Sequence, residues 1–320
     1  MIKLVAAITT ISLGQLAAAG SPPMITTPIS QTRATMDLQG PVDTMRESTA
    51  IVSSQMELPA RFSKRHVDRV MRFNGQGRLA MVTSYTFNEV DESYVYGYDD
   101  NGRLIEYLSF EQEDTPPTKA EFRYDKEGRL IRQVYTNVDG QEQKRRTQYS
   151  SNGDTTIMLM RTADKDISVA KRISPDDSGG WQVMSFTSTS DQPVLVKNEL
   201  LNQDGQTLVA IWYDAAQVVT GRSQATYDDH GRMLMRRVFD GSDKLLRSET
   251  WTYDQEGRPQ TYHRDEGEKA RHTTYTYEVD EAGNWVKRTA MTQITDKSDV
   301  SKQPGQEEVI TYREFEYGKD

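Results

Sequence analysis

Nine glycines recur along this chain at intervals of 25 or 26 residues, and this spacing constrains the fold more than any other feature. They are Gly77, Gly102, Gly128, Gly153, Gly179, Gly205, Gly231, Gly257 and Gly283. A period sustained over most of a sequence is typical of proteins that stack copies of one supersecondary unit. The spacing therefore predicts a repeat protein rather than an ordinary globular domain.

Each glycine follows, by three residues, a side chain with a short hydrogen-bond acceptor. These residues are Asn74, Asp99, Asp125, Ser150, Asp176, Asn202, Asp228, Asp254 and Asp280. Type I turns prefer such residues at their first position and a glycine of positive φ at their fourth. Each unit therefore predicts a hairpin turn closed by a β-bulge. The clearest predicted structural turns are Asp99 to Gly102, Asp125 to Gly128, Asp228 to Gly231, Asp254 to Gly257 and Asp280 to Gly283.

The residues beside the turns predict strands. An aromatic residue usually stands four positions before the glycine and a large apolar residue two positions after it, as Tyr98 and Leu104 do. Such a pair faces across a hairpin and stabilises it by about 0.2–1 kcal/mol. Tyr94, Tyr96 and Tyr98 alternate with a period of two, which is typical of strands. We therefore expect an all-β fold, a long curled antiparallel β-meander of nine hairpin repeats.

Nine hairpins give about eighteen strands, and residues 307–317 predict one more that closes the array. A sheet this wide curls, so we expect a twisted trough, a partial shell or an irregular barrel. A porin-like transmembrane barrel is the structural competitor. Arginine and glutamate on both faces of the predicted strands argue against it.

Four segments are predicted along the chain. Residues 1–19 resemble a signal peptide, with Lys3 before an apolar run and small residues at Ala17 to Ala19. That run is short for the ~20 residues of a membrane-spanning helix, so we expect a periplasmic or secreted protein without a transmembrane segment in the mature chain. Residues 20–60 predict a linker or irregular N-terminal cap, 61–295 the repeats, and 296–320 a polar loop and closing strand.

The composition excludes several classes of function. There is no cysteine, which excludes disulfides, thiolate metal sites and cysteine nucleophiles. The net charge of −9 disfavours nucleic acid as a partner, because binding to a phosphate backbone needs clustered positive charge. A mean hydropathy of −0.75 is low for a large core and favours a thin or hollow structure.

No catalytic, cofactor or metal site is predicted. Of the four histidines, His230 falls in a turn and His263 and His272 fall in a polar connection, so exposed positions are expected; His66 is the fourth. No zinc-binding histidine spacing occurs. The acidic turn from Asp99 to Gly102 lacks the further oxygen ligands of a calcium loop, which favours turn capping.

Two sets of residues are candidates for binding. Arginines follow the glycines periodically, and we expect them to pair with turn aspartates of neighbouring units; the alternative is a ladder of cations beside aromatic rings for an anionic or hydroxyl-rich polymer. Aromatic residues outside the regular positions are candidates for an exposed binding face. The candidate ligand-binding surface comprises Tyr94, Tyr96, Arg103, Arg129, Trp212, Tyr213, Arg232, Trp251 and Arg258.

The best-formed turns read YDDNGRL (98–104), YDKEGRL (124–130), YDDHGRM (227–233) and YDQEGRP (253–259). They resemble the YD repeat of the RHS and teneurin-type proteins, over roughly residues 61–288. The resemblance implies a spiralling antiparallel sheet, which in large members forms a shell around a toxic domain. The chain shows no segment like the self-cleaving core of those members.

Three functions are compatible with these features. The favoured one is a non-enzymatic exported repeat protein, an interaction or structural module at the cell envelope that binds a glycan or a protein partner. The alternative is an accessory or remnant shell piece of an RHS-type toxin system that binds a polypeptide cargo. An enzyme with an unrecognised site is the third.

Overall fold

The computed structural model describes residues 31–53, 65–86, 88–111, 115–152, 155–161, 167–189, 192–299, 301 and 303–318. These residues form a short 3-10 helix, Ala34–Met36, and twenty strands. The strands are β1 (Val42–Ser53), β2 (His66–Phe73), β3 (Leu79–Thr86), β4 (Glu89–Tyr98), β5 (Leu104–Phe110), β6 (Thr118–Tyr124), β7 (Leu130–Thr136), β8 (Glu142–Asn152), β9 (Thr155–Arg161), β10 (Ile167–Pro175), β11 (Trp181–Thr189), β12 (Gln192–Leu201), β13 (Thr207–Tyr213), β14 (Val219–Tyr227), β15 (Met233–Asp240), β16 (Leu245–Tyr253), β17 (Pro259–Asp265), β18 (Lys269–Val279), β19 (Trp285–Asp296) and β20 (Gly305–Tyr317). No helix in the described ranges has the length and hydropathy of a membrane span.

The strands form one closed antiparallel sheet. Each strand pairs with its neighbours in sequence, and β1 pairs with both β2 and β20. The predicted all-β antiparallel fold is confirmed. The predicted curled meander of nine hairpin repeats is corrected, because the sheet is a closed barrel of twenty strands; of the trough, partial shell and barrel that were expected, it is the barrel that forms. Closure removes the two unpaired edges that an open array would expose.

Strand β1 is the element that the sequence did not predict. It lies within residues 20–60, where a linker or irregular cap is expected, and it fills the gap between β20 and β2. Its alternation is hidden because the register shifts between Val42 and Thr44 and between Glu47 and Ser48. The predicted signal peptide lies outside the described residues, as do residues 20–30 and 54–64.

The two faces of the barrel wall differ in burial. Met45, Met71 and Met158 are at most 1 % exposed, whereas Val95 and Met291, on the opposite face of their strands, are 39 % and 40 % exposed. Substantial contacts among the described strands join only sheet neighbours, so no second layer covers either face. The crowded face is therefore the concave, inner face, because side chains converge inside a barrel and diverge outside it.

Residues 31–41 lie along the end of the barrel that carries the Asp-x-x-Gly turns, which we call the turn rim. The Arg33 N–H donates to the carbonyl of Gly77 (2.8 Å), and the Gln39 N–H donates to Asn284 Oδ1 (2.7 Å). Between these contacts, Leu38 is buried with Met45 and Met71. The segment therefore ties the first repeat turn to the last.

Candidate functional site

Eight of the nine predicted turns are present at the turn rim. The turn predicted to start at Ser150 is wrong, because Ser150 lies within β8 and pairs with Ile157. In the turn from Asp99 to Gly102, the glycine N–H donates to the Asp99 carbonyl (2.8 Å), and the Asp99 carboxylate accepts the Arg103 N–H (2.9 Å). Eight of the nine repeat glycines have φ between 74° and 91°; the ninth, Gly153, lies outside the described residues. The predicted pairing of Tyr98 with Leu104, with a bulge beside it, is also confirmed.

Each well-formed turn is joined to the next by one arginine and one tyrosine. The arginine Nε donates to the aspartate of its own turn at 2.6–2.8 Å, in Arg103, Arg129, Arg232 and Arg258. Its guanidinium lies 4.7–5.0 Å from the ring centre of the next tyrosine, Tyr124, Tyr149, Tyr253 or Tyr277. That tyrosine hydroxyl donates to a carbonyl of the preceding unit at 2.7–3.0 Å. The expected pairing with neighbouring aspartates is wrong, because Asp and Arg four residues apart meet within one turn.

The hydrogen bonds and charges of these turns shift the pKa values of their aspartates and tyrosines. Burial acts to raise the pKa of the Asp125 carboxyl, but hydrogen bonds from the backbone and side chain of Arg129 outweigh it, so the pKa lies below its usual value. The same balance lowers the pKa of Asp228, bound by Arg232. Burial, followed by the Asp99 charge, raises the pKa of Tyr124 to about 12. The turn arginines are thus engaged in structural contacts.

The aromatic candidates lie elsewhere, on the inner face. Tyr94 and Tyr96 form a cluster with Tyr107, at ring-centre distances of 5.9–6.3 Å, and Tyr107 reaches Phe122 at 6.1 Å. The tyrosines are half-buried. Burial, followed by a hydrogen bond to Glu92, raises the pKa of Tyr94 to about 12. The cluster presents neutral phenols to the interior.

A second inner-face group spans β15 to β17. The Trp251 and Tyr262 rings lie 5.2 Å apart, and the Tyr262 hydroxyl donates to Glu249 Oε1 (2.8 Å). The strand register places Arg236 and Arg264 on either side of Glu249, which is 7 % exposed. Aromatic rings, a carboxylate and guanidinium groups therefore share one part of the wall.

Trp212 and Tyr213 lie on opposite faces, because successive strand residues alternate. Trp212 points inward opposite Gly221, and the Lys197 ammonium lies 5.5 Å from its ring centre. Lys197 also donates to Glu199 Oε1 (2.7 Å). Because Gly221 has no side chain, one flank of the indole is left uncovered. Tyr213 points outward and cannot join this group.

Where β20, β1 and β2 meet, which we call the seam, the inner face holds an ionic cluster. Glu47 accepts hydrogen bonds from Arg313 Nε (3.0 Å) and Arg69 Nε (3.0 Å). Arg313 also lies 3.7 Å from the ring centre of Trp285. Burial acts to raise the pKa of Glu47, but the charges of Arg69 and Arg313 outweigh it and lower that pKa. Burial lowers the pKa of Arg313 to about 10.

Two of the histidines are placed differently from the prediction, whereas His230 lies in its predicted turn. His263 and His272 lie opposite each other on β17 and β18, with ring centres 6.1 Å apart, and not in a connection. The strands extend further from the turn than the polar sequence indicates. Across the described ranges, no three histidine, aspartate or glutamate side chains are grouped to hold a metal ion.

The structure thus divides the predicted surface. Arg103, Arg129, Arg232 and Arg258 lie at the turn rim; Tyr94, Tyr96, Trp212 and Trp251 lie on the inner face; Tyr213 lies on the outer face. Sequence reasoning missed Tyr107, Tyr262 and Glu249. Their signal is the register, since each stands opposite an inner-face residue of the neighbouring strand.

No protein-family model and no curated protein matches the sequence. Among solved structures, the chain is similar to a porin-like protein from Bacteroides uniformis (12% identity, TM-score 0.30, 87% of this chain and 99% of that chain). It is also similar to a porin-like protein from Bacteroides vulgatus (10% identity, TM-score 0.23, 87% and 98%). A third likeness is to the TcdB2-TccC3-Cdc42 structure (13% identity, TM-score 0.19), covering 70% of this chain and 17% of that chain. At these TM-scores the likenesses decide neither fold nor function.

Proposed function

We propose that the protein is a non-enzymatic, exported interaction module of the cell envelope that binds a carbohydrate on the inner face of its barrel. One observation carries the proposal: half-buried aromatic rings stand beside charged groups on the concave face. Trp212 with Lys197, and Trp251 with Tyr262, are the two best-defined examples. Aromatic faces stack on sugar rings, and adjacent charged groups bind hydroxyls or acidic substituents.

The charged residues of the outer face support the interpretation that water, rather than lipid, surrounds the barrel. Charged side chains occur outward along the middle of several strands, including Glu106, Arg132, Arg146, Arg172 and Arg237. A lipid-facing wall needs a continuous apolar band, and an arginine near the middle of such a band costs about 2–4 kcal/mol. Export is inferred from the sequence of residues 1–19, and the YD-like turns are consistent with extracellular repeat proteins.

The matched pair Trp212→Ala and Tyr213→Ala tests the carbohydrate proposal. The two residues are adjacent but face opposite sides of the wall. We expect the wild-type protein to bind selected saccharides on a glycan array, Trp212→Ala to weaken the best of them about tenfold or more, and Tyr213→Ala to leave affinity within about twofold. Absence of any saturable saccharide binding, or equal effects of the two substitutions, would overturn the proposal.

A second candidate is a wall piece that encloses a polypeptide, as in shell-forming toxin systems. The closure of the wall around an interior favours it. Titration with a reduced, carboxymethylated polypeptide distinguishes the two candidates: binding that Trp212→Ala abolishes, without any saccharide binding, would favour polypeptide cargo.

A further inference from the structure

Four arginines stand opposite one another on four consecutive strands. Arg123 of β6 pairs with Arg132 of β7, Arg132 pairs with Arg146 of β8, and Arg146 pairs with Arg161 of β9. We call these four residues the arginine row. Since neighbouring strands lie about 4.8 Å apart, the row extends roughly 15 Å across the wall.

The arginine row faces outward. Phe122, Gln133 and Thr147, which precede or follow its members, are 5–7 % exposed on the inner face. Strand alternation therefore turns the arginines toward solvent. Arg123 and Arg146 are exposed, and Arg132 and Arg161 are half-buried.

Three members of the row, Arg123, Arg132 and Arg146, differ from the turn arginines in their ion pairs. Within the described ranges, Arg123, Arg132 and Arg146 bind no carboxylate, although every well-formed turn arginine does. Carboxylates of the same strands bind lysines instead: Glu121 pairs with Lys119 at 3.2 Å, and Glu142 pairs with Lys144. Arg132 acts on Glu142 only through its charge.

Like charges directly opposite each other destabilise a sheet. The net charge of −9 means that carboxylates outnumber basic groups, yet in the described part of the chain no carboxylate forms an ion pair with these three arginines. The row is also narrow. Two residues along the strands, the outer positions are Glu121, Val134 and Lys144 on one side and Gln148 and Leu159 on the other. This is a line of guanidinium groups rather than a broad basic patch.

We propose that the arginine row binds a linear polyanion laid across β6 to β9, with phosphate or carboxylate groups on its successive units. Guanidinium groups bind both oxyanions through paired N–H donors. A chain matches a row one residue wide, whereas an anionic membrane favours a broad basic surface. The site is on the outer face and is independent of the carbohydrate proposed for the inner face.

Long-chain polyphosphate tests binding of phosphate groups, and polygalacturonate tests binding of carboxylate groups. The affinity for each polymer is measured at several salt concentrations. The test variant is Arg132→Gln/Arg146→Gln. The control is Arg237→Gln, which removes an exposed outer arginine that stands opposite Ser248 and Gln224. We expect the wild type and the control to bind one or both polymers, and the double variant to bind about tenfold or more weakly. The slope of log Kd against log salt should fall by about one per arginine removed.

Thermal melting separates binding from folding. Because removing like charges relieves repulsion, the double variant should melt at or above the wild-type temperature. Failure of both polymers to bind at low salt, or unchanged binding by the double variant, would overturn the proposal. Tighter binding to anionic phospholipid vesicles than to either polymer would also overturn it, in favour of a membrane surface.

Discussion

The repeats and the seam stabilise the same barrel in different ways. We call the repeats, from β3 to β19, the wall. In the wall, each well-formed turn is joined to the next by an arginine over a tyrosine ring and by a tyrosine hydroxyl that donates to a carbonyl 18–20 residues away. At the seam, Arg313 meets Glu47 across 266 residues, and beside the seam at the turn rim Gln39 meets Asn284 across 245. Wall contacts form between neighbouring units, whereas seam contacts require both ends of the array to meet.

This difference indicates that the wall tolerates the loss of a whole repeat unit, whereas the seam does not tolerate the loss of the antiparallel pairing between β1 and β20. The barrel has an even number of strands, which is the condition for β1 and β20 to pair antiparallel. The seam therefore depends on the parity of the whole wall, although no wall residue specifies parity locally.

The largest expected effect comes from breaking that parity. Deleting residues 103–115 removes β5 and leaves nineteen strands, so β20 would run parallel to β1 and the seam pairing would be lost. Deleting residues 103–128 removes one 26-residue unit and leaves eighteen strands in the correct directions. We expect the shorter deletion to abolish cooperative folding and the longer one to retain a smaller folded barrel.

Circular dichroism melts and limited proteolysis of the two deletion variants measure this difference. Equal collapse of both would contradict the repeat architecture. Equal survival of both would show that closure contributes little to stability.

The next largest effect is expected inside the seam. Glu47→Gln leaves the arginines on either side of it without their shared carboxylate, and Arg313 is only 12 % exposed. Removing one partner of a buried ion pair costs about 3–5 kcal/mol. Glu314→Gln is the control on the outer face of the same seam, where an exposed pair with Arg65 is lost, at about 0–1 kcal/mol. Denaturant unfolding of both variants gives the free energies of unfolding; similar losses would show that the buried cluster stabilises the seam no more than the exposed pair does.

The wall was predictable because each of its turns is specified by residues that are close together in the sequence. A short acceptor side chain and a glycine three residues later specify each turn at the turn rim. The turns at the opposite rim escaped detection, because Gln217 and Asp243 occupy positive φ there without glycine (63° and 66°). Their hydrogen bonds start from Asp214 and Asp240 as in the other turns, but the sequence gives no glycine period.

The candidate site was less predictable because bulges shift the alternation. In β5, Tyr107 faces inward, so a strict period of two would place Ile105 on the inner face and Leu104 on the outer face. The burial is the opposite: Leu104 is 5 % exposed and Ile105 is 37 % exposed. Such shifts hide which residues share the inner face. The seam was invisible for a different reason: the partners of Glu47 are set by closure, which no local pattern encodes.

A smaller effect is expected from straining one wall turn. Gly128 has φ +81°, and an added Cβ would meet Arg103 Nη1 only at 3.8 Å, so space is available but the backbone conformation is unfavourable. We expect Gly128→Val to cost about 1–3 kcal/mol. Glu127→Ala, in the same turn, should change stability by no more than about 0.5 kcal/mol. Thermal melts compare the two; equal melting temperatures would contradict the left-handed glycine.

The smallest expected effect is the contribution of one turn aspartate to acid stability. The pKa values of Asp99, Asp125 and Asp228 are lowered in the folded protein, so the unfolded chain binds more protons than the folded one as the pH falls. Their stabilisation is complete above the unfolded pKa of about 3.9 and is lost as the pH drops through the folded values. At the seam the balance differs, because Glu47 has a lowered pKa whereas burial raises that of Asp68.

Asp125→Asn retains a capping oxygen but removes the titratable carboxyl group. Its melting temperature should therefore fall less steeply between pH 5 and 2.5 than that of the wild type. Since several turns titrate with the same sign, the change for one turn should be a small fraction of the total. An unchanged slope in Asp125→Asn would contradict a contribution of the Asp125 carboxylate to acid stability.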